Sequence, residues 1–219
     1  MTAHRQDIDA STSYVNLERL TFLIDGVFAI TLTLLVLELR PPEGDASELA
    51  EGLIAMLPRL SIYLLAFYTI ANHWVAHQRT FRHITAMDSA LMWLNLLGLP
   101  FITLIPAATA IIGRYPTEKL AVVFFSVNSL LHALTSWLFW VYVVKNHNRF
   151  TSESDPDILH ITAQVWLMIT ACWFISIFLG FLNVNLAYVS WVLWPNLAAV
   201  WGNYKRKQLI EIREKAAEK

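Results

Sequence analysis

Residues 17–42 read LERLTFLIDGVFAITLTLLVLELRPP, and this stretch decides the fold class. A helix that crosses a bilayer needs about 20 mostly apolar residues at roughly 1.5 Å rise each. Leu17 to Leu39 supplies them, and Arg40-Pro41-Pro42 then stops the helix because proline cannot continue it. The run contains Arg19 and Asp25 and has no small-residue cleavage site behind it, which speaks against a removable signal peptide. The first helix is therefore expected to persist in the mature protein. The rest of the chain is of the same kind. Of 219 residues, 56% are hydrophobic and 15% charged, too apolar for an ordinary soluble domain.

Five more apolar runs follow. Polar Glu43 to Ser47 makes a turn, and Ser47 with acidic Glu48 and Glu51 suits a helix start. Helix two then extends to about Phe81. Helix three covers roughly Asp88 to Gly113 and carries Pro100 and Pro106, which spanning helices tolerate as kinks where neighbours satisfy the freed carbonyls. Helix four runs from about Glu118 to Val144, and the most polar loop, Lys145 to Asp157, follows it. Helices five and six, about Ile158 to Leu182 and Leu186 to Tyr204, are divided by Asn183-Val184-Asn185. The expected organisation is an N-terminal cytoplasmic segment (1–16), a six-helix transmembrane domain (17–204) and a charged tail (205–219) that reads as a short solvated helix.

Short cytoplasmic loops carry an excess of lysine and arginine. With the N-terminus inside, Arg5, Arg19, Arg79, Arg82, Lys145, Arg149, Lys205, Arg206, Lys207, Arg213, Lys215 and Lys219 fall on the cytoplasmic side. Only Arg40, Arg59, Arg114 and Lys119 fall outside, so an even number of crossings with both termini inside is expected. Trp74, Trp137, Trp140, Trp191, Trp194 and Trp201 sit where interfacial anchors would. The lone Cys172 lies in an apolar run and cannot form an intrachain disulfide, which leaves it a packing role.

Asp25 is the sharpest anomaly, roughly 12 Å into an apolar helix, where a carboxylate must face protein or water. Arg19, six residues earlier, is not on the same helix face. The expected partner comes from the cytoplasmic end of helix two, where His73, Trp74 and His77 lie, and the structural reading is a polar clamp of Asp25, Arg19 and a histidine that fixes packing. His73 and His77, four apart, could also hold a metal, but without an intervening Glu or a third ligand no metal site is assigned. Beyond Asp25, Ile30, Leu34 and Leu37 recur at helical spacing over Val27, a stripe whose ordinary role is core packing. Thr31 and Thr33 can satisfy their hydroxyls on helix carbonyls. Glu38 lies at the outer rim, where a ring of carboxylates would concentrate cations. Asn95, Asn128, His132 and Gln164 read as interhelical hydrogen-bonding groups. No nucleophile-base spacing, glycine-rich phosphate loop or nucleic-acid-binding pattern is present in the sequence, so no catalytic residue, cofactor or nucleic-acid partner is assigned.

Residues Arg19 to Leu39 resemble the first-helix signature of the transmembrane protein 175 family, potassium channels of prokaryotic membranes and of animal endosomes and lysosomes. Arg19 and Asp25 match that pattern, with Leu23 and Ile24 in place of its Phe and Ser. Trp74-Val75-Ala76-His77-Gln78-Arg79-Thr80-Phe81 is similar to the family's Trp-x-x-His-His-Arg-x-Phe, with Gln78 for the second His. Asp88, Trp93-Leu94-Asn95 and Pro106 resemble its third helix. The resemblance implies a homotetramer of six-helix subunits in the cell membrane, with helix one lining a pore for K+ and other monovalent cations. By position it implies hydrophobic rings at Ile30, Leu34 and Leu37, a polar layer at Thr33, and a structural network of Arg19, Asp25, Trp74 and His77. Selectivity would arise at those rings instead of at a carbonyl filter. Two other classes stay open on the residues: a proton-coupled transporter using Asp25 and His77, and a membrane enzyme or metal-binding protein using His73 and His77.

Overall fold

The computed structural model describes residues 2–42, 44–151 and 155–217, with side chains for 17–42, 44–79, 81–151 and 155–216. The side chains of Arg5, Glu43 and Lys219, and the middle of the polar loop at 152–154, lie outside those residues. Among the described residues the chain is all helix and irregular connection. The helices are α1 (Thr2–Leu34), α2 (Leu49–Phe81), α3 (Ser89–Thr103), α4 (Ile105–Arg114), α5 (Lys119–Lys145), the short α6 (His147–Phe150), α7 (Pro156–Leu182) and α8 (Val184–Ala217). Two 3-10 turns, Leu35–Glu38 and Ala46–Glu48, sit between α1 and α2.

Among the described residues five segments are long and apolar enough to cross a membrane: Leu17–Glu38, Ala46–Arg79, Ser89–Arg114, Lys119–Lys145 and Pro156–Leu182. The expected sixth, in α8, has the length, but Asn185, Tyr188, Ser190, Pro195 and Asn196 dilute its apolar character. The charged tail does not form a helix of its own: α8 continues without a break to Ala217. Its last turns are held to the start of α7, where Arg213 pairs with both Asp155 and Asp157. The third span is also broken more sharply than a kink. α3 ends at Thr103 and α4 begins at Ile105, because Pro106 has no N–H to give and its ring excludes the carbonyl one turn back.

The break is repaired from α5. Asn128 donates to the Phe101 carbonyl at 2.7 Å, and His132 Nδ1 lies 3.2 Å from the Gly98 carbonyl, so the two polar residues one turn apart bind α3 as interhelical groups. Gly98 lets the two helices approach closely, since a Cβ there would stand 3.1 Å from Thr135 Oγ1 and push that side chain back. Asn95 also reaches a neighbouring helix, whereas Gln164 is exposed. α5 is the centre of the bundle, packed on α3, α4 and α7, and α8 packs on α7. Small residues let these backbones approach: Ser126 and Ser190 both meet Ser176 at 3.2 Å, and Trp191 donates to Ser176 at 2.7 Å. Trp140 and Trp191 are buried in this core, so they are not the interfacial anchors expected from their positions; the aromatic stack of Phe125 on Trp191 claims the latter. Cys172 is a buried free thiol, as a packing role requires.

The beginning of the chain is attached more lightly. α1 packs on α2 and α3, and α2 on α4. α1 and the 3-10 turn that follows it bury one stripe, Leu20, Ile24, Phe28, Thr31 and Leu35, at steps of four and three residues.

Candidate functional site

The stripe of α1 that a core role would bury is not the one expected. Ile30, Leu34 and Leu37 are 61%, 43% and 69% exposed on the single subunit, although each is a large apolar side chain. The buried stripe runs along another side of the helix, about 110° around at roughly 100° per residue, one or two residues away at each level. Ile24, which replaces the family's serine, belongs to it and is fully buried. Leu34 and Leu37 are brought into line by the change of helix type. The α-helix gives way to a 3-10 turn at Leu35–Glu38, and side chains three apart eclipse at about three residues per turn. Thr33, on the exposed side, donates to the Ile30 carbonyl at 2.8 Å, and buried Thr31 donates to Val27 at 2.7 Å. Glu38 is exposed at the end of the turn, beside a groove that Arg40, Arg59 and Arg114 also line.

Below this stripe lies a polar anchor. Trp74 Nε1 and Gln78 Nε2 both donate to Asp25 Oδ1, at 2.9 and 2.7 Å. These two side chains, one turn apart on α2, clasp the carboxylate of α1, which is half-buried. The expected network therefore assembles in part. Asp25 and Trp74 meet. His77 lies next to them, its Nε2 3.4 Å from Asn95 Nδ2 and its ring stacked on Phe81 at 4.1 Å. Arg19 stands exposed, and among the described residues it has no ion pair with Asp25. Its separation of about 240° around α1 from Asp25 explains this, at roughly 100° per residue. The donor that sequence reasoning passed over is Gln78. It was visible only as a departure from the family's second histidine, yet an amide N–H replaces an imidazole N–H as a hydrogen-bond donor.

His73 turns away from this anchor. Its Nδ1 lies 2.7 Å from the Thr69 carbonyl, and its ring meets His132 edge-on at 4.6 Å. His73, His77 and His132 border one small cavity of about 40 Å³. Among the described residues no three His, Cys, Asp or Glu side chains are placed to hold a metal ion.

A model of the family described as the endosomal/lysosomal potassium channel TMEM175 matches residues 19–106. A potassium channel of Streptomyces collinus is 32% identical over 172 residues, which is 76% of this chain and 80% of that protein. The endosomal/lysosomal proton channel TMEM175 of Danio rerio is 27% identical over 78% of this chain, but this covers only 34% of the longer animal protein. In fold, the chain is similar to the crystal structure of a lysosomal potassium-selective channel TMEM175 homolog from Chamaesiphon minutus. The TM-score is 0.74 at 24% identity, over 86% of this chain and 99% of that one.

Proposed function

The chain belongs to the TMEM175 family of ion channels, and from that premise we propose that it is a potassium-permeable channel whose pore is lined by α1 from four copies of the chain. In this reading α8 supplies a sixth crossing, both termini are cytoplasmic and the channel lies in the plasma membrane. The observation that carries it is the outward stripe of Ile30, Leu34 and Leu37 on a helix that packs on its subunit through a separate stripe, Leu20, Ile24, Phe28, Thr31 and Leu35. Four such stripes facing one axis form stacked apolar rings, with Thr33 as a polar layer and Glu38 at the outer mouth.

Rings of this kind select by dehydration. An apolar constriction offers no oxygen to replace lost water, so every ion meets a barrier, and the barrier is lower for the ion that sheds its hydration at less cost. Potassium does so more readily than sodium. Modest selectivity, low conductance and closure by dewetting follow. The clasp of Asp25 by Trp74 and Gln78 holds α1 at a fixed rotation, so that the stripe stays on the axis.

The test is flux of K+ into liposomes that contain the purified protein, with Na+ as the control. Ile30→Ser is expected to raise flux and reduce the preference for K+; permeation unchanged in that variant refutes the ring mechanism. A second reading, passage of protons, has the name of the Danio rerio relative in its favour, together with Asp25 and His77 lying beside the same helix. It is distinguished by a pH change inside the same liposomes without added K+, abolished by Asp25→Asn.

A further inference from the structure

A second site lies away from α1. A cavity of about 140 Å³ opens between α2, α7 and α8. Its deeper walls are Trp166, Ile169, Trp173 and Pro195, and Tyr68 of α2 donates to Asn196 of α8 at 2.6 Å across it. At its other end stand two arginines, Arg79 from α2 and Arg206 from α8. The rise from Tyr68 to Arg79 is about 16 Å at roughly 1.5 Å per residue. This is a long apolar slot with a cationic mouth, and the mouth is at the end of the bundle where most of the lysines and arginines gather.

The mouth carries more positive charge than the protein balances. Arg79 and Arg82 both lie close enough to Arg206 to act on it electrostatically. Among the described residues none of the three forms an ion pair. Arg206 spends one N–H on Thr162 Oγ1 at 3.0 Å, while its Nε is buried without a partner among the described residues. Converging guanidinium groups with donors to spare are matched by a phosphate, whose oxygens accept forked hydrogen bonds. A free phosphate would leave the apolar slot empty. A lipid fills both parts.

We propose that this cavity is a binding site for an anionic phospholipid of the cytoplasmic leaflet, with the phosphate on Arg79 and Arg206 and one acyl chain between α2, α7 and α8. Basic pockets between membrane helices are the kind of place where such headgroups settle. The site is independent of permeation through α1, and its test reads bound lipid and not flux.

The experiment is lipid titration of the full-length protein in detergent, followed by native mass spectrometry, with phosphatidylglycerol, phosphatidylcholine and inorganic phosphate as separate probes. The expected result is retention of phosphatidylglycerol in preference to phosphatidylcholine. Binding should weaken about 30-fold in the Arg79→Gln, Arg206→Gln double variant, since each arginine near a membrane surface is worth about 5-fold. Should the double variant fail to fold, Arg79→Gln alone, at an exposed position, is expected to lose about 5-fold. Ala199→Trp, which fills the slot and leaves both arginines, should weaken phosphatidylglycerol as well. Equal retention of the two lipids, or unchanged affinity in these variants, overturns the proposal. Displacement of phosphatidylglycerol by millimolar inorganic phosphate with Ala199→Trp silent also overturns it, as it would mark a site for the free anion.

Discussion

Replacing Gln78 by Leu should destabilise the protein through Asp25. The amide donates to Asp25 Oδ1 at 2.7 Å, within the range of hydrogen bonds strengthened by an ionised acceptor. Such bonds contribute about 1.5–3 kcal/mol in water-soluble proteins, while interhelical bonds in a bilayer average about 0.6 and reach about 1.7. Trp74 still donates to the same oxygen in the variant, so the carboxylate is not orphaned and the lower range governs. A loss of about 1 kcal/mol is expected, which lowers the unfolding midpoint by about 2–4 °C in a chain of this size. Gln78→His restores a donor and should recover most of the loss. A double-mutant cycle of Gln78→Leu with Asp25→Asn, followed by thermal unfolding of the purified protein in detergent, isolates the pair. A coupling below about 0.3 kcal/mol, or Gln78→His as damaging as Gln78→Leu, refutes the clasp.

Asn128→Val leaves the Phe101 carbonyl at the α3–α4 break without its donor and should cost about 1–3 kcal/mol in thermal unfolding; wild-type stability would show that another group takes over the carbonyl. Arg213→Ala frees the end of α8 from Asp155 and Asp157. At the surface this should change global stability by less than about 1 kcal/mol while making the segment after Tyr204 more sensitive to limited proteolysis, and unchanged cleavage there counts against the tether. His83, beyond the end of α2, is held below its ordinary value of 6.5 by burial, then by Arg82 and Arg206. Its neutral form is the one the fold favours, so its contribution is present above pH 6.5 and is lost as pH falls below it, where the unfolded chain takes up the proton first. His83→Gln should flatten the decline in unfolding midpoint between about pH 7.5 and about pH 5.5, and an unaltered slope would assign the decline to other groups.

Five spans and the start of α2 were legible because the signals are local: long apolar runs, the Arg40-Pro41-Pro42 stop, and the polar turn before Leu49. Local signals also located Asp25 and its partner helix. What they did not contain was depth. Whether Ile30 or Phe28 faces the bundle depends on how the helix is rotated about its axis, and both stripes of α1 are apolar; only packing on α2 and α3 separates them. The same ambiguity misplaced Trp140 and Trp191, since an aromatic residue near a span end serves as readily in a core as at an interface. Arg19 was grouped with Asp25 as a charge partner within one polar clamp, and the family resemblance repeated that grouping, against the helical geometry that holds them apart. The uninterrupted α8 went unread because Lys205 to Lys207 mark the limit of an apolar run, which is not the limit of a helix.

The two-sidedness of α1 has a consequence for how this segment tolerates change. Leu20, Ile24, Phe28, Thr31 and Leu35 grip the subunit, and their neighbours Ile30, Leu34 and Leu37 look outward from the same rod. A methylene removed from the gripping side lets the rod roll, and the roll re-aims every side chain on the outward side at once. Substitutions remote from any ion would thus be felt as if they had been made in its path.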